Sequence, residues 1–262
     1  MILLSFDIEE FDLPLEYGEK ISFEQQIAIS VEGTHRILEI LSKHTIKATF
    51  FCTAVFALYA KDLITLIKNE GHEIASHGYS HSSFEESDLD KSKLILEDLA
   101  DTPVNGFRMP RMKPVSARAL KSAGYLYNSS LNPTFIPGRY NHLDKPRVCF
   151  VMEQILQIPA SVTPLLRIPL FWLSMHNFPM WLYTYLLSRC VINDSYSAIY
   201  FHPWEFVDVT DCVKLPFLMR NNSGDKMVAR LEELILYCKA KKYSFVTYSD
   251  FCNNVLLNKA EI

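Results

Sequence analysis

Short apolar, β-branched and aromatic runs alternate with longer segments of helical apolar spacing along the whole chain, and this alternation most constrains the fold. Residues 2–6, 46–52, 72–76, 104–107, 125–129, 155–158, 197–201 and 244–247 read as strands. Between them, residues 23–43, 58–69, 88–100, 116–123, 178–190, 224–241 and 250–257 read as helices, with Gly71 and Gly124 placed as stops. Repeated strand–helix order predicts an α/β chain built on a parallel sheet or barrel. No repeat, linker or low-complexity stretch divides it, so 262 residues are expected to form one domain, 1–262. Residues 132–145 and 208–222 are rich in turn formers and are expected to be long loops on the functional face.

Composition narrows the partners. A formal charge of −4 leaves no basic footprint for nucleic acid. The N-terminus lacks the basic and apolar regions of a signal peptide. No apolar run reaches the ~18 residues of a spanning helix, since the richest stretch, 165–187, is broken by Pro169, His176 and Pro179. Six cysteines without a CxxC pair read as buried thiols of a reducing compartment. A cytoplasmic protein without membrane insertion is the expectation, and the oligomeric state stays open.

Four clusters follow predicted strands, and in parallel α/β folds sites gather at the strands' C-terminal ends. In the first, Asp7 and Glu9 alternate and could face one side of an extended backbone. Each could be a metal ligand, a base or part of a solvated loop. In the second, His77 and His81 are four residues apart with Gly78 and Ser80 between them, a spacing that can grip one divalent ion. The nearby His72 precedes its strand and reads as structural. The third places Arg108 where it could pair with a carboxylate or lie on the surface. In the fourth, His202 ends an apolar strand before Pro203 and Trp204, which suits either a general acid in a partly dry cleft or a satisfied core histidine.

In order and spacing these clusters resemble the polysaccharide deacetylase family of carbohydrate esterases. The matching segments are Phe6-Asp7-Ile8-Glu9, His77 to His81, Arg108-Met109-Pro110 and Tyr200-Phe201-His202, and the resemblance spans residues 1 to about 250. Tyr127-Asn128-Ser129-Ser130-Leu131 and Phe201-His202-Pro203-Trp204-Glu205 are similar to segments of a bacterial subgroup found with envelope-polysaccharide genes.

The resemblance implies a distorted (β/α) barrel of about seven parallel strands. It implies one divalent metal ion, usually Zn2+ with Co2+, Ni2+ or Mn2+ as alternatives, held by Glu9, His77 and His81. It implies Asp7 as base, Arg108 as its holder, and His202 as the acid that protonates the leaving amine. Ile8 stands where the family's second acid usually lies, which leaves the roles of Asp7 and Glu9 exchangeable. The family also expects an acid that orients the late histidine, and the sequence does not assign it. Tyr79, Pro110 and Trp204 are the expected substrate-binding residues, with Phe135 as a further stacking surface and a backbone N–H near Tyr79 facing the oxyanion.

The implied reaction removes acetate from an N-acetylated sugar or oligosaccharide. Two alternatives stand beside it: hydrolysis of another small or cyclic amide on the same fold, and a degenerate protein that only binds. The aromatic stretch 171–181 reads as a lid or core segment, with a membrane-associated role as the minor alternative.

Overall fold

A computed structural model describes residues 1–138 and 140–260. Among the described residues, ten strands form two sheets: β1 (Ile2–Ile8), β2 (Thr49–Cys52), β3 (Glu73–Ser76), β4 (Gly106–Phe107), β5 (Tyr127–Asn128), β6 (Phe135–Ile136), β7 (Tyr140–Asn141), β8 (Phe150–Met152), β9 (Ile155–Gln157) and β10 (Ser197–Phe201). The large sheet runs β10-β1-β2-β3-β4-β5-β9-β8, and β6 pairs with β7 in a small hairpin. Every neighbouring pair of the large sheet is parallel except β8 with β9. Seven parallel strands therefore curl into the distorted barrel, with β8 as an added antiparallel edge. The curl returns on itself where the Ser161 N–H donates to the Ala198 carbonyl at 2.8 Å.

The pleat sorts β1 between two cores. Ile2, Leu4, Phe6 and Ile8 pack outward beneath the helices. Leu3 packs inward with Phe51, Ala75, Tyr127, Leu156 and Tyr248. Period two puts Ser5 and Asp7 on the same inward side as Leu3. An acidic side chain thus enters the top of the barrel because it continues an apolar strand in register.

Some elements differ from expectation. The helix read over 58–69 starts earlier and breaks: Ala54–Tyr59, capped by the Thr53 hydroxyl, is followed by Lys61–Asn69, with Ala60 outside helical geometry at φ −127° and ψ 43°. The last predicted strand, 244–247, shrinks to one parallel bridge between Ile2 and Phe245. Propensity reported its apolar character, but pairing depends on where the barrel edge lies.

The helix Phe23–His44 fixes one side of the site. A reciprocal cap between Ser22 and Gln25 starts it, and Thr45 ends it in the left-handed region. Its Gly33 meets the turn after β10 so closely that an added Cβ would lie 1.9 Å from the Pro203 carbonyl oxygen. Only glycine admits that approach, which holds the segment following His202 against the barrel. Among the described residues, no helix is long and apolar enough to cross a membrane.

Candidate functional site

The chain segments after β1, β3, β4 and β10 converge at one end of the barrel, all at strand C-termini. Between His77 and His81, Gly78 turns the chain at φ 81°, so the two histidines leave β3 on a turn rather than a surface helix. Glu9 Oε2 lies 2.9 Å from His77 Nε2 and 3.2 Å from His81 Nε2. One donor atom from each of these residues falls within 4.8 Å of the others, and all three residues are buried.

The hydrogen bonds around this trio decide what it can hold. His77 Nδ1 donates to the Arg108 carbonyl at 2.8 Å, and His81 Nδ1 donates to Asp12 Oδ1 at 2.6 Å. With hydrogens placed on both Nδ1 atoms, neutral rings turn Nε2 lone pairs toward Glu9. Glu9 Oε2 itself is buried without a hydrogen-bond donor. Three lone-pair donors facing one another in a dry site fit a cation, and two imidazoles with one carboxylate suit zinc. Without a cation, only protons can compensate Glu9. Burial pulls His81 down, but the Glu9 and Asp12 carboxylates outweigh it and hold it up at about 9. Burial likewise works to raise Glu9, while His81 and His77 bring it down to about 2.

Beside this trio sits Asp7, whose Oδ1 accepts from Arg108 at 2.5 Å. Arg108 is fully buried and spends its remaining donors on Ser5, Tyr248 and both oxygens of Ser129. Its guanidinium also lies 3.9 Å from the Phe51 ring centre. Burial opposes its charge, and Asp7 more than restores it. Asp7 Oδ2 is left facing His202 Nε2 at 4.0 Å.

His202 is fixed from behind. Its Nδ1 donates to Glu205 Oε1 at 2.9 Å, and its backbone N–H donates to the same oxygen at 2.6 Å. Burial works against the imidazolium, but Glu205, with Glu9 and Asp7 nearby, raises it above the ordinary histidine value. Glu205 is the orienting acid that the sequence left unassigned. The signal lay three residues beyond His202, where Pro203 starts a single turn that brings Glu205 back to it. Asp12, Ser129 and Tyr248 also went unnoticed. Asp12 had a clue in the acidic run after β1, whereas Tyr248 is distant in sequence and comes near only because the chain end caps the barrel.

These residues line a cleft of about 280 Å³. Asp7, Glu9, His77, His81 and His202 form its polar floor, with Arg111 and Glu16 toward one side. Phe171, Trp172, Leu173, Ile136, Pro137 and Met219 contribute an apolar wall. That wall comes from the expected loops and from the 171–181 stretch, which serves as a side of the cleft.

The expected substrate-binding residues differ in how they sit against the cleft. Tyr79 lies outside the cleft lining, its ring covered by the Lys91 ammonium at 3.6 Å, and its carbonyl accepts from Val55. Pro110 is buried and also outside the lining. Trp204 reaches the cleft, but its ring stacks on Phe11 and His202 and is 2% exposed, so no face is open to a sugar. Phe135 is exposed and does not line the cleft, whereas its neighbour Ile136 does. Phe171, Trp172 and Tyr200 also line the cleft.

A family profile described as polysaccharide deacetylase matches residues 20–127. Over that segment the chain is similar to the polysaccharide deacetylase family. It is 38% identical over 87 residues to a peptidoglycan-N-acetylglucosamine deacetylase of Bacillus cereus, a match covering 30% of this chain and 32% of that protein. The chain thus spans about a third of the length of that curated relative. Among solved structures, a Mycobacterium smegmatis protein assigned to the polysaccharide deacetylases superposes with TM-score 0.67 at 20% identity, covering 98% of this chain and 90% of the other. Puue allantoinase gives TM-score 0.66 at 16% identity, with coverages of 96% and 88%. At these identities the two structures establish the shared fold.

Proposed function

We propose that the chain is a single-domain, divalent-metal-dependent hydrolase that removes the acetyl group from an N-acetylated sugar or oligosaccharide. The reading is carried by one observation: a buried cation-fitting trio shares a cleft floor with a carboxylate and an imidazole, each held by its own buried partner. The family match over residues 20–127 and the Bacillus cereus relative favour the acetamido sugar over other amides.

Glu9, His77 and His81 would hold the ion, with Asp12 and the Arg108 carbonyl fixing the imidazoles from behind. When bound, a zinc-like ion polarises the amide carbonyl and makes water acidic enough to attack it near neutral pH. Asp7 takes the proton of the attacking water through Oδ2, the oxygen that Arg108 leaves free. Arg108 binds the other oxygen of this carboxylate and so fixes Oδ2 toward His202. His202, protonated through its bond to Glu205, gives its Nε2 proton to the departing amine. Acetate and a free amino sugar result. Phe171, Trp172 and Tyr200 border the space for the sugar, and the apolar wall keeps bulk water from the reacting bond.

Acetate release from N-acetylated chito-oligosaccharides, measured beside allantoin as a cyclic amide, tests the substrate class. Asp7→Asn should keep one metal per chain by elemental analysis and lose ~10²–10⁴ in rate, while Glu9→Ala should purify empty. Asp7→Asn emptying the site would exchange the two roles, and turnover of allantoin alone would replace the sugar reading.

A further inference from the structure

A second histidine stands behind the Glu205 carboxylate. Glu205 is fully buried and divides its oxygens: Oε1 receives His202, and Oε2 lies 3.0 Å from His176 Nε2. The other nitrogen of His176, Nδ1, meets the Asn221 carbonyl. His176 is fully buried, with Trp172 edge-on to it and Trp204 stacked on it. Both of its ring nitrogens therefore face oxygen acceptors, one a carbonyl and one a carboxylate. A neutral imidazole has a single N–H, so satisfying both acceptors takes a ring that donates from both nitrogens.

We propose that His176 is a positioning residue for the His202 proton donor: donating from both ring nitrogens, it fixes Glu205 and draws charge from it, leaving His202 a stronger acid than Glu205 alone would make it. The inference rests on the reading of His202 as general acid. A carboxylate with one imidazole partner holds that partner's proton tightly. A carboxylate shared with a second donor holds it less, because each hydrogen bond it accepts lowers its basicity. Consistent with this sharing, burial acts to raise Glu205, but His176 and then His202 bring it below the ordinary carboxylate value.

The charged groups around this unit are few. His202 faces Glu205 and Asp7, with Glu9 acting at longer range and the Tyr200 ring edge-on. His176 faces Glu205. The buried Tyr183 hydroxyl lies within electrostatic range of Glu205, and Arg230 is bound to the carbonyls of Met175 and Phe178 on either side of His176. No second carboxylate is recorded against His176 among the described residues, so Glu205 cannot pass its charge to another acid. His176 also belongs to the helix Trp172–Asn177, whose first turn supplies Trp172 and Leu173 to the cleft wall. The same short helix thus carries part of the substrate surface and the anchor of the proton donor.

The test uses the zinc-loaded protein labelled with 15N at histidine. The wild-type spectrum should show an N–H on each His176 ring nitrogen, a measurement that needs no variant. In His176→Gln, which offers a neutral amide in place of a doubly protonated ring, the His202 midpoint should rise by about one pH unit. The alkaline limb of kcat on an N-acetylated chito-oligosaccharide should rise with it, kcat should fall a few-fold, and KM and zinc content should hold. A His176 ring protonated on one nitrogen only, or a His202 midpoint that stays or falls, overturns the proposal. His202→Ala is measured alongside: turnover surviving in that variant removes the general-acid reading, while the ring spectra still judge what His176 does to His202.

Discussion

In the metal-free protein His81 carries a proton between two carboxylates, and a bound metal ion must displace it. The perturbation is chelator stripping followed by a rise in pH. His81 is held up at about 9 against an ordinary 6.5. A group whose folded value lies above its unfolded one stabilises the fold fully below the unfolded value. It loses that contribution as the pH climbs through the folded one. At about 1.4 kcal/mol per pH unit, the window from 6.5 to 9 corresponds to about 3 kcal/mol. Glu9 acts elsewhere: held at about 2 rather than 4.5, its contribution disappears only as the pH falls below about 4.5. The stripped protein should therefore melt lower at pH 9 than at pH 6.5, at ~2–4 °C per kcal/mol for a chain of this size. His202, also raised, adds a slope of the same sign. The His81→Gln variant isolates the His81 share, and its decline should be shallower by about 3 kcal/mol. Zinc needs the Nε2 lone pair of a neutral His81, so its binding near neutral pH should release about one proton. Scanning calorimetry of stripped and loaded protein, with titration calorimetry in two buffers of different ionisation enthalpy, reads both effects. Zinc binding without proton release, or a stripped wild type and His81→Gln with equal pH slopes, would refute the assignment of His81 as an ion-paired ligand.

Two further outcomes follow from the same geometry. Arg108→Met should cost about 3–5 kcal/mol in urea unfolding, because it strands the buried Asp7 carboxylate and removes the partner of Ser5, Ser129 and Tyr248; a loss below about 1 kcal/mol would mean that Asp7 does not depend on it. His202→Ala should lower kcat by ~10²–10⁴ on an acetamido sugar but only a few-fold on an activated acetate ester, whose leaving group needs no proton. Equal losses on both substrates, with a lowered melting temperature, would make His202 a packing residue instead.

Local chemistry in the sequence determined an α/β chain on a parallel sheet or barrel and the groups at its strand ends, while the barrel itself came from the resemblance. Strand–helix alternation follows from side-chain period, so β1, β3 and β10 could be read from their apolar runs, and their C-terminal residues could be placed at one barrel end. His77 with His81, and Asp7 with Glu9, were legible because each pair is close in sequence and its spacing survives folding. Tertiary structure decided what stands behind those groups. Glu205 lies three residues beyond His202 in the chain, yet only the turn started by Pro203 and clasped against Gly33 aims it at the imidazole. Tyr248 and His176 take their places from chain segments far apart in sequence, and no local pattern encodes such a meeting. Packing also decides which aromatic faces are covered: those of Trp204 stack on Phe11 and His202. Sequence spacing fixes which groups leave a strand together, whereas burial and hydrogen-bond partners depend on what the rest of the chain brings to meet them.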